Sequence, residues 1–375
     1  MKIGITYDPP HESLAFGSIE EETTALLGKH SATNGIEDMI KVAILHGYVP
    51  ADASKDEQDV LVQVEVVAQA LTALGYLPVA VPLTLDLAAT AAILRQLRPS
   101  LVFNLVETVN GEGQYIHLGP TLLDGLRLPY TGAPTTVMFA TSNKLLAKTI
   151  LAAAALPIPP WFALQGGPWH TPPFSGPYLV KSVWEHGSIG LDDASVVSDA
   201  TLLPSLLARR ANDQGAPWFV ERYIAGREFN VSLLAGADGP EVLPLAEIVF
   251  AEYPADKVRI VGYPAKWEED SFEYQHTYRR FDFPPHDAPV LRRMMELAKV
   301  CWHTFGLRGY ARVDLRLDEA GQPWILEVNA NPCLAADGGF VAAARQAGWS
   351  LAELIQCILA DCPAAALASF PRRSA

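Results

Sequence analysis

The chain has 375 residues, half of them hydrophobic, and its 28 Lys and Arg against 42 Asp and Glu give a formal charge of −14. That length is too great for one core and argues for two or three domains; the acidic balance disfavours a nucleic-acid partner, which clustered Lys and Arg would serve. No apolar run reaches the roughly 18 to 20 residues that span a bilayer, and the opening MKIG lacks a secretory apolar stretch, so the expectation is a cytoplasmic protein with no membrane partner, acting on small molecules.

Residues 1–130 alternate short β-rich runs with helical spacing. KIGITYD (2–8) and KVAILHGY (41–48) both read as buried strands, and either can supply the first strand of a sheet, which leaves residues 1–40 open between a strand and a peripheral extension. Residues 60–74 have helical spacing, and LPVAVP (77–82) and residues 100–106 read as further strands. Such alternation predicts a parallel sheet with covering helices. A helix is expected over 142–156, and the Pro/Gly-rich passage 166–177 then breaks regular structure as a hinge would. A small unit follows, with strand PYLVKSV (177–183), loop EHGSIG (185–190), a helix near 202–211 and strand WFVERYI (218–224). Its size suits a closing lid. Beyond it come strands at 229–234 and 242–250, a polar loop at 253–276, a helix at 286–305 and a hairpin. The cysteines, Cys301, Cys333, Cys357 and Cys362, form no C-x-x-C pair, so neither a zinc site nor a disulfide framework is expected.

The hairpin holds polar residues that a buried strand does not want. Its strands are ARVDLRL (311–317) and WILEVN (324–329). Strand side chains alternate between faces, so Glu327 and Asn329 project together. A turn centred on Ala320 and Gly321 would set Arg312 opposite Asn329 and Asp314 opposite Glu327, all four on one face. Facing carboxylates repel unless a cation lies between them, and Asp, Glu and Asn oxygens suit Mg²⁺, which completes its shell with substrate phosphates. The alternative is a solvated hairpin face, against which stand Leu315, Leu317, Ile325, Leu326 and Val328. Magnesium implies phosphates, yet neither a P-loop nor a dinucleotide-binding glycine fingerprint occurs. Lys144, Lys181 and Lys266 remain as phosphate candidates. Lys181 lies in an apolar strand, where an unpaired ammonium is costly and a phosphate would satisfy it, unless it points to solvent from an edge. The loop after it can cover phosphates with backbone N–H groups.

The ordered motifs FNLVE, LPYTG, SNKLLAK, VKSVWEHGSIG, FVERYIAGREFNV, YPAKW, ARVDL and EVNANP lie between residues 100 and 339. Together they resemble the ATP-grasp superfamily, and within it the D-alanine–D-alanine ligase-like carboxylate-amine ligases. The resemblance implies an α/β chain, α+β in its ATP-binding part, with a Rossmann-like parallel-sheet domain (1–135), a small lid domain (136–225) and an antiparallel-sheet domain with the metal site (226–375). It also implies ATP, two Mg²⁺ ions with Mn²⁺ as a substitute, amino-acid or peptide substrates, and a homodimer. Position by position it puts Lys144 and Lys181 on the α and β phosphates, Lys266 on the γ-phosphate, Glu221 at adenine and Glu228 at the ribose. Asp314, Glu327 and Asn329 fall on the metals; Arg312, Lys266 and Ser188 fall in catalytic positions, Arg312 stabilising the charge of phosphoryl transfer. The implied reaction passes through an acyl phosphate to an amide.

Departures concentrate in the amino-acid half. The N-terminal GGxSxExxVS loop of true D-alanine–D-alanine ligases has no counterpart, HGxxGED reads VNGEGQ, and EGSSxG reads EHGSIG. Trp267 replaces a Tyr, Cys333 a Gly, and Gly338 stands at or near the Ser that would grip the second substrate. D-Alanine is therefore expected to be a poor substrate. Two alternatives stand beside this reading: an authentic D-alanine–D-alanine ligase, and a non-catalytic ATP-binding module, against which weighs the intact set Arg312, Asp314, Glu327 and Asn329.

Overall fold

Three sheets organise the described residues. The computed structural model describes residues 39–163, 169–214 and 217–362; the strand expected at 2–8 and part of the expected hinge lie outside the described residues. KVAILHG forms β1 (Lys41–Gly47), the middle of a parallel sheet between β2 (Leu77–Leu83) and β3 (Leu101–Asn104). Val42 to Leu45 are buried without break, as a strand covered on both faces requires. The helix Lys55–Ala73 begins earlier than residue 60 because Glu57 accepts from the backbone N–H and hydroxyl of Ser54, at 3.1 and 2.9 Å.

The helix expected at 142–156 is instead a pair, Thr135–Ser142 and Lys144–Ala153. Asn143 divides them: its backbone leaves the helical region, and its Oδ1 accepts from the N–H of Leu146 at 2.9 Å. The second sheet is antiparallel, in the order β4 (Trp161–Phe162), β7 (Trp218–Arg222), β5 (Tyr178–Ser182), β6 (Val196–Val197). β5 is interior, so Lys181 is not an edge lysine. The helix Leu203–Gln214 covers this sheet, Leu203 and Leu206 packing with Tyr178, Val180 and Val220.

The third sheet is formed by β8 (Arg227–Gly236), β9 (Gly239–Val242), β10 (Ala246–Phe250), β11 (Thr277–Arg280), β12 (Tyr310–Leu317) and β13 (Pro323–Asn329). Its order is β11-β10-β8-β12-β13, with β9 also on β8. The single strand expected at 242–250 is thus two, since Pro244 has no N–H to continue the ladder. The loop expected at 253–276 contains two short helices, Tyr263–Trp267 and Phe272–Gln275. All three sheets belong to one unit that begins at Ile40.

This third sheet has two unlike faces. Phe229, Val231, Val313, Leu315 and Ile325 join one core with the helix Ala288–Phe305 and the pair at 135–153. The alternate residues Glu228, Asn230, Arg312, Asp314 and Arg316 line a cleft on the other side. β12 and β13 pair Arg312 with Asn329 and Asp314 with Glu327; the register then shifts, and Leu315 pairs with Ile325. Leu326 is the extra residue of this bulge. Ile325 and Val328 both reach the core while Leu326 and Glu327 both line the cleft, which strict alternation forbids and a bulge allows. Among the described residues no helix is long and apolar enough to cross a membrane, and the four cysteines are free.

Leu315 is fully buried beneath the cleft. Leu315→Ala should cost about 2–5 kcal/mol through the cavity it opens. Chemical denaturation of variant and wild type measures this, and an unchanged midpoint would contradict the core assignment.

Candidate active site

Every residue expected at the site lines a single cleft of about 550 Å³ between the second and third sheets: Lys144, Lys181, Ser188, Glu221, Glu228, Lys266, Arg312, Asp314, Glu327 and Asn329. Lys144 opens the helix Lys144–Ala153, and Lys148 lies one turn further on the same side. Lys148 Nζ meets Glu221 Oε2 at 2.6 Å and Lys181 Nζ meets Glu221 Oε1 at 3.4 Å. Glu221 is therefore the counter-ion of two lysines. Burial would raise its carboxyl, but Lys148 and then Lys181 hold it below the usual range. Lys148 escaped the sequence reading; the available signal was its four-residue spacing from Lys144 in SNKLLAK. Lys144 donates to the carbonyl of Glu185, and burial brings its ammonium down to about 8 against the pull of Glu327.

At the hairpin, Arg312 grips Asp314 bidentately, Nε on Oδ1 at 2.7 Å and Nη2 on Oδ2 at 2.8 Å. Asn230 Nδ2 donates to the same Oδ1 at 2.7 Å. Glu327 has no hydrogen bond or ion pair among the described residues; burial would raise it, yet Lys181, Lys144, His186 and Arg312 hold it well below the usual carboxylate range. The Oδ1 of Asn329 accepts from the N–H of Asn331 at 3.0 Å. Arg316, opposite Glu228 in the β12–β8 register, donates Nε and Nη2 to Glu228 Oε2 at 3.0 and 2.7 Å, leaving Oε1 uncommitted. It also donates to the carbonyl of Ile224 at 2.7 Å. Arg316, too, was not foreseen, although it follows Asp314 at strand spacing.

Two loops close over the cleft together. Ser188, at φ 66°, donates its hydroxyl to the carbonyl of Val261 at 2.6 Å. Trp267 Nε1 donates to the carbonyl of Gly187 at 2.9 Å, and the N–H of Tyr263 to that of Leu191 at 2.7 Å. The short helix between these contacts carries Lys266 into the cleft. Burial and Arg312 lower the Lys266 ammonium, while Glu327 and Asp314 oppose them. In this arrangement the Ser188 hydroxyl latches one loop to the other.

The far end of the cleft holds two acids that the sequence reading did not single out, Asp59 and Glu107. Gln63, 1% exposed, donates Nε2 to Asp59 Oδ2 at 3.0 Å and to Glu107 Oε1 at 2.9 Å. Cys333 Sγ donates to Asp59 Oδ2 at 3.2 Å. Arg279 donates to the carbonyl of Asp337 at 2.9 Å, and a Cβ at Gly339 would lie 3.2 Å from its Nε. His186 Nε2 is shielded and has no hydrogen-bond partner among the described residues, and burial followed by Lys144 pulls its ring down to about 3, so it is neutral. Nothing in a linear pattern links residue 59 to 107 or 333.

Against known proteins, residues 150–360 match the family model described as D-ala D-ala ligase C-terminus. An uncharacterised protein, y4sG of Sinorhizobium fredii, is 31% identical over 265 residues, covering 69% of this chain and 73% of that protein. The D-alanine–D-alanine ligase of Moorella thermoacetica is 28% identical over 330 residues, covering 85% and 98%. Among solved structures, the D-alanine–D-alanine ligase from Bacillus anthracis complexed with ATP aligns with a TM-score of 0.66 at 20% identity, over 86% of this chain and 97% of that one. The fold is therefore ATP-grasp. The chain belongs to the D-alanine–D-alanine ligase family.

Removing one lysine from the enclosed Lys148–Glu221–Lys181 group leaves a buried charge short of a partner. Lys148→Met should lower the unfolding free energy by about 3–5 kcal/mol, and Glu221→Gln added to it should restore a large part. A double-mutant denaturation cycle reads the coupling; strictly additive losses would show that the pair does not interact.

Proposed function

We propose that the protein is an ATP- and Mg²⁺-dependent ligase that joins the carboxylate of an amino acid or short peptide to an amine through an acyl phosphate. The supporting observation is the charge arrangement of the cleft: Lys144, Lys181 and Lys266 line it, and Glu327 reaches in from the hairpin with no hydrogen bond or ion pair among the described residues. A triphosphate with its metal would satisfy both sets. Glu327 offers free oxygens, Asn329 its Oδ1, and Asp314 a carboxylate shared with Arg312, an oxygen-only donor set that suits Mg²⁺. Among the described residues no three or more His, Cys, Asp or Glu gather as a closed metal cage, and Mg²⁺ commonly takes one or two carboxylates plus substrate phosphates. When bound, it would neutralise phosphate charge during transfer. Two ions follow from the family pattern.

In this reading Lys144 and Lys181 hold the α and β phosphates and Lys266 the γ-phosphate. Glu228, steadied by Arg316, offers its free Oε1 to the ribose, and Glu221 borders the adenine. The substrate carboxylate attacks the γ-phosphorus and ADP leaves, Arg312 stabilising the charge that develops. The amine then attacks the acyl carbon; a C–N bond forms as the C–O bond to phosphate breaks. The Ser188–Val261 and Trp267–Gly187 contacts keep water from the acyl phosphate. Residues 1–135, 136–225 and 226–375 serve as first domain, lid and metal-site domain, with the four-stranded sheet as the moving part of the lid. With Cys333 and Gly338 in the acceptor region, the D-alanine pair is a poor substrate.

Glu327→Gln should bind nucleotide but lower ADP release by at least about 100-fold; near-normal turnover would sink the metal assignment. Lys181→Ala should chiefly weaken binding of a non-hydrolysable ATP analogue, read by titration calorimetry. A coupled ADP-release screen of amino acids and dipeptides, alone and in pairs, identifies the substrates, and fast release with D-alanine alone would overturn the altered acceptor.

A further inference from the structure

We infer that Asp59 and Glu107, held side by side by Gln63, receive the ammonium of the acceptor and that Glu107 takes its proton before the amine attacks. This rests on the ligase reading above. It adds the residues that hold the acceptor's ammonium and a route for its proton.

The geometry is unusual for a structural cluster. Gln63 is buried, its Oε1 accepts from the N–H of Leu334 at 2.9 Å, and that contact fixes which end of the amide faces the acids. Its Nε2 then serves two carboxylates at once, Asp59 at 3.0 Å and Glu107 at 2.9 Å. The remaining donor to Asp59 is the Cys333 thiol at 3.2 Å. Neither acid has an ion pair among the described residues, and both line the cleft. Two acids sharing one neutral amide is an arrangement that a cation completes.

The other groups facing Glu107 are Lys266 and Arg312, which lower its carboxyl, and Asp59, which raises it. The Tyr310 phenol and Cys333 thiol feel its charge and are kept protonated by their own burial. Burial outweighs the rest and brings Glu107 up to about 7. An ordinary carboxylate would be too weak a base for an ammonium; one matched to neutral pH is not. The influence of Lys266 and Arg312 also puts the base beside the transferring phosphoryl group.

The step balances. R–NH₃⁺ gives one proton to the Glu107 carboxylate and becomes R–NH₂. Its lone pair attacks the acyl carbon, the C–O bond breaks with its electron pair leaving on phosphate, and the second nitrogen proton departs with the phosphate as HPO₄²⁻.

Hydroxylamine provides the test, because it is unprotonated at neutral pH and needs no base. Wild type should release ADP with the acceptor found by screening, and with hydroxylamine should trap the acyl phosphate as a hydroxamate. Glu107→Gln should lose about 100-fold in kcat with the ammonium acceptor yet form hydroxamate near the wild-type rate. The wild-type rise of kcat/KM as pH increases through about 7 should vanish in that variant. Asp59→Asn should raise the acceptor KM and spare hydroxamate formation, and nucleotide binding checks the fold of both variants. Ligation by Glu107→Gln at the wild-type rate, or loss of hydroxamate in step with ligation, would overturn the inference. Absence of hydroxamate from wild type would overturn the ligase reading and the inference with it.

Discussion

The six-stranded sheet must hide one face in a core and keep charges on the other, and the cleft depends on how those charges are balanced. Taking an ion out of water costs several kcal/mol unless a partner replaces the lost solvation. On β12 and β8 that partner is adjacent: Arg312 and Asn230 on Asp314, Arg316 on Glu228. Lys148 and Lys181 do the same for Glu221. These pairs hold side chains in fixed directions before a ligand arrives, which spares reorganisation when charge moves during reaction. Glu327 is the exception, with no hydrogen bond or ion pair among the described residues.

The bulge at Leu326 is a small device with a large effect. Without it, Ile325 and Glu327 would share a face, and either an acid would enter the core or an isoleucine the cleft. With it, Ile325 and Val328 pack below while Leu326 and Glu327 line the site. The loops above depend on a comparable local choice. Gly187 and Ser188 both adopt positive φ, which turns the chain so that the Gly187 carbonyl accepts from Trp267 and the Ser188 hydroxyl reaches Val261.

Departures from the family pattern lie in the loops over the cleft, at His186 and Trp267, and at its far end, at Cys333 and Gly338. Cys333 binds Asp59, and Arg279 lies against Gly339, in a space that a Cβ there would narrow. The lysines and hairpin residues expected at the site line one cavity. The two ends of the cleft are built on different elements: the hairpin and lysines on one side, the helix Lys55–Ala73 and the segment after β3 on the other.

The pairs Arg312–Asn329 and Asp314–Glu327 read from the sequence are the ones found, but the strands leave the turn one residue out of that register, Leu317 on Pro323 and Leu315 on Ile325, and only the bulge at Leu326 restores it, which period-two alternation does not show. By itself the sequence determined the strand at 41–47 from an unbroken apolar run and placed Lys181 in an apolar strand, where a cation is costly. It did not show the break at Asn143 or the split at Pro244, where one cap and one missing N–H override helical or strand propensity. Only tertiary structure decided that Lys148 faces Glu221, that Arg316 faces Glu228, and that Gln63 joins Asp59 to Glu107. Those partners come from elements far apart in sequence, brought together by burial of apolar faces that carry no information about which polar side chains will meet.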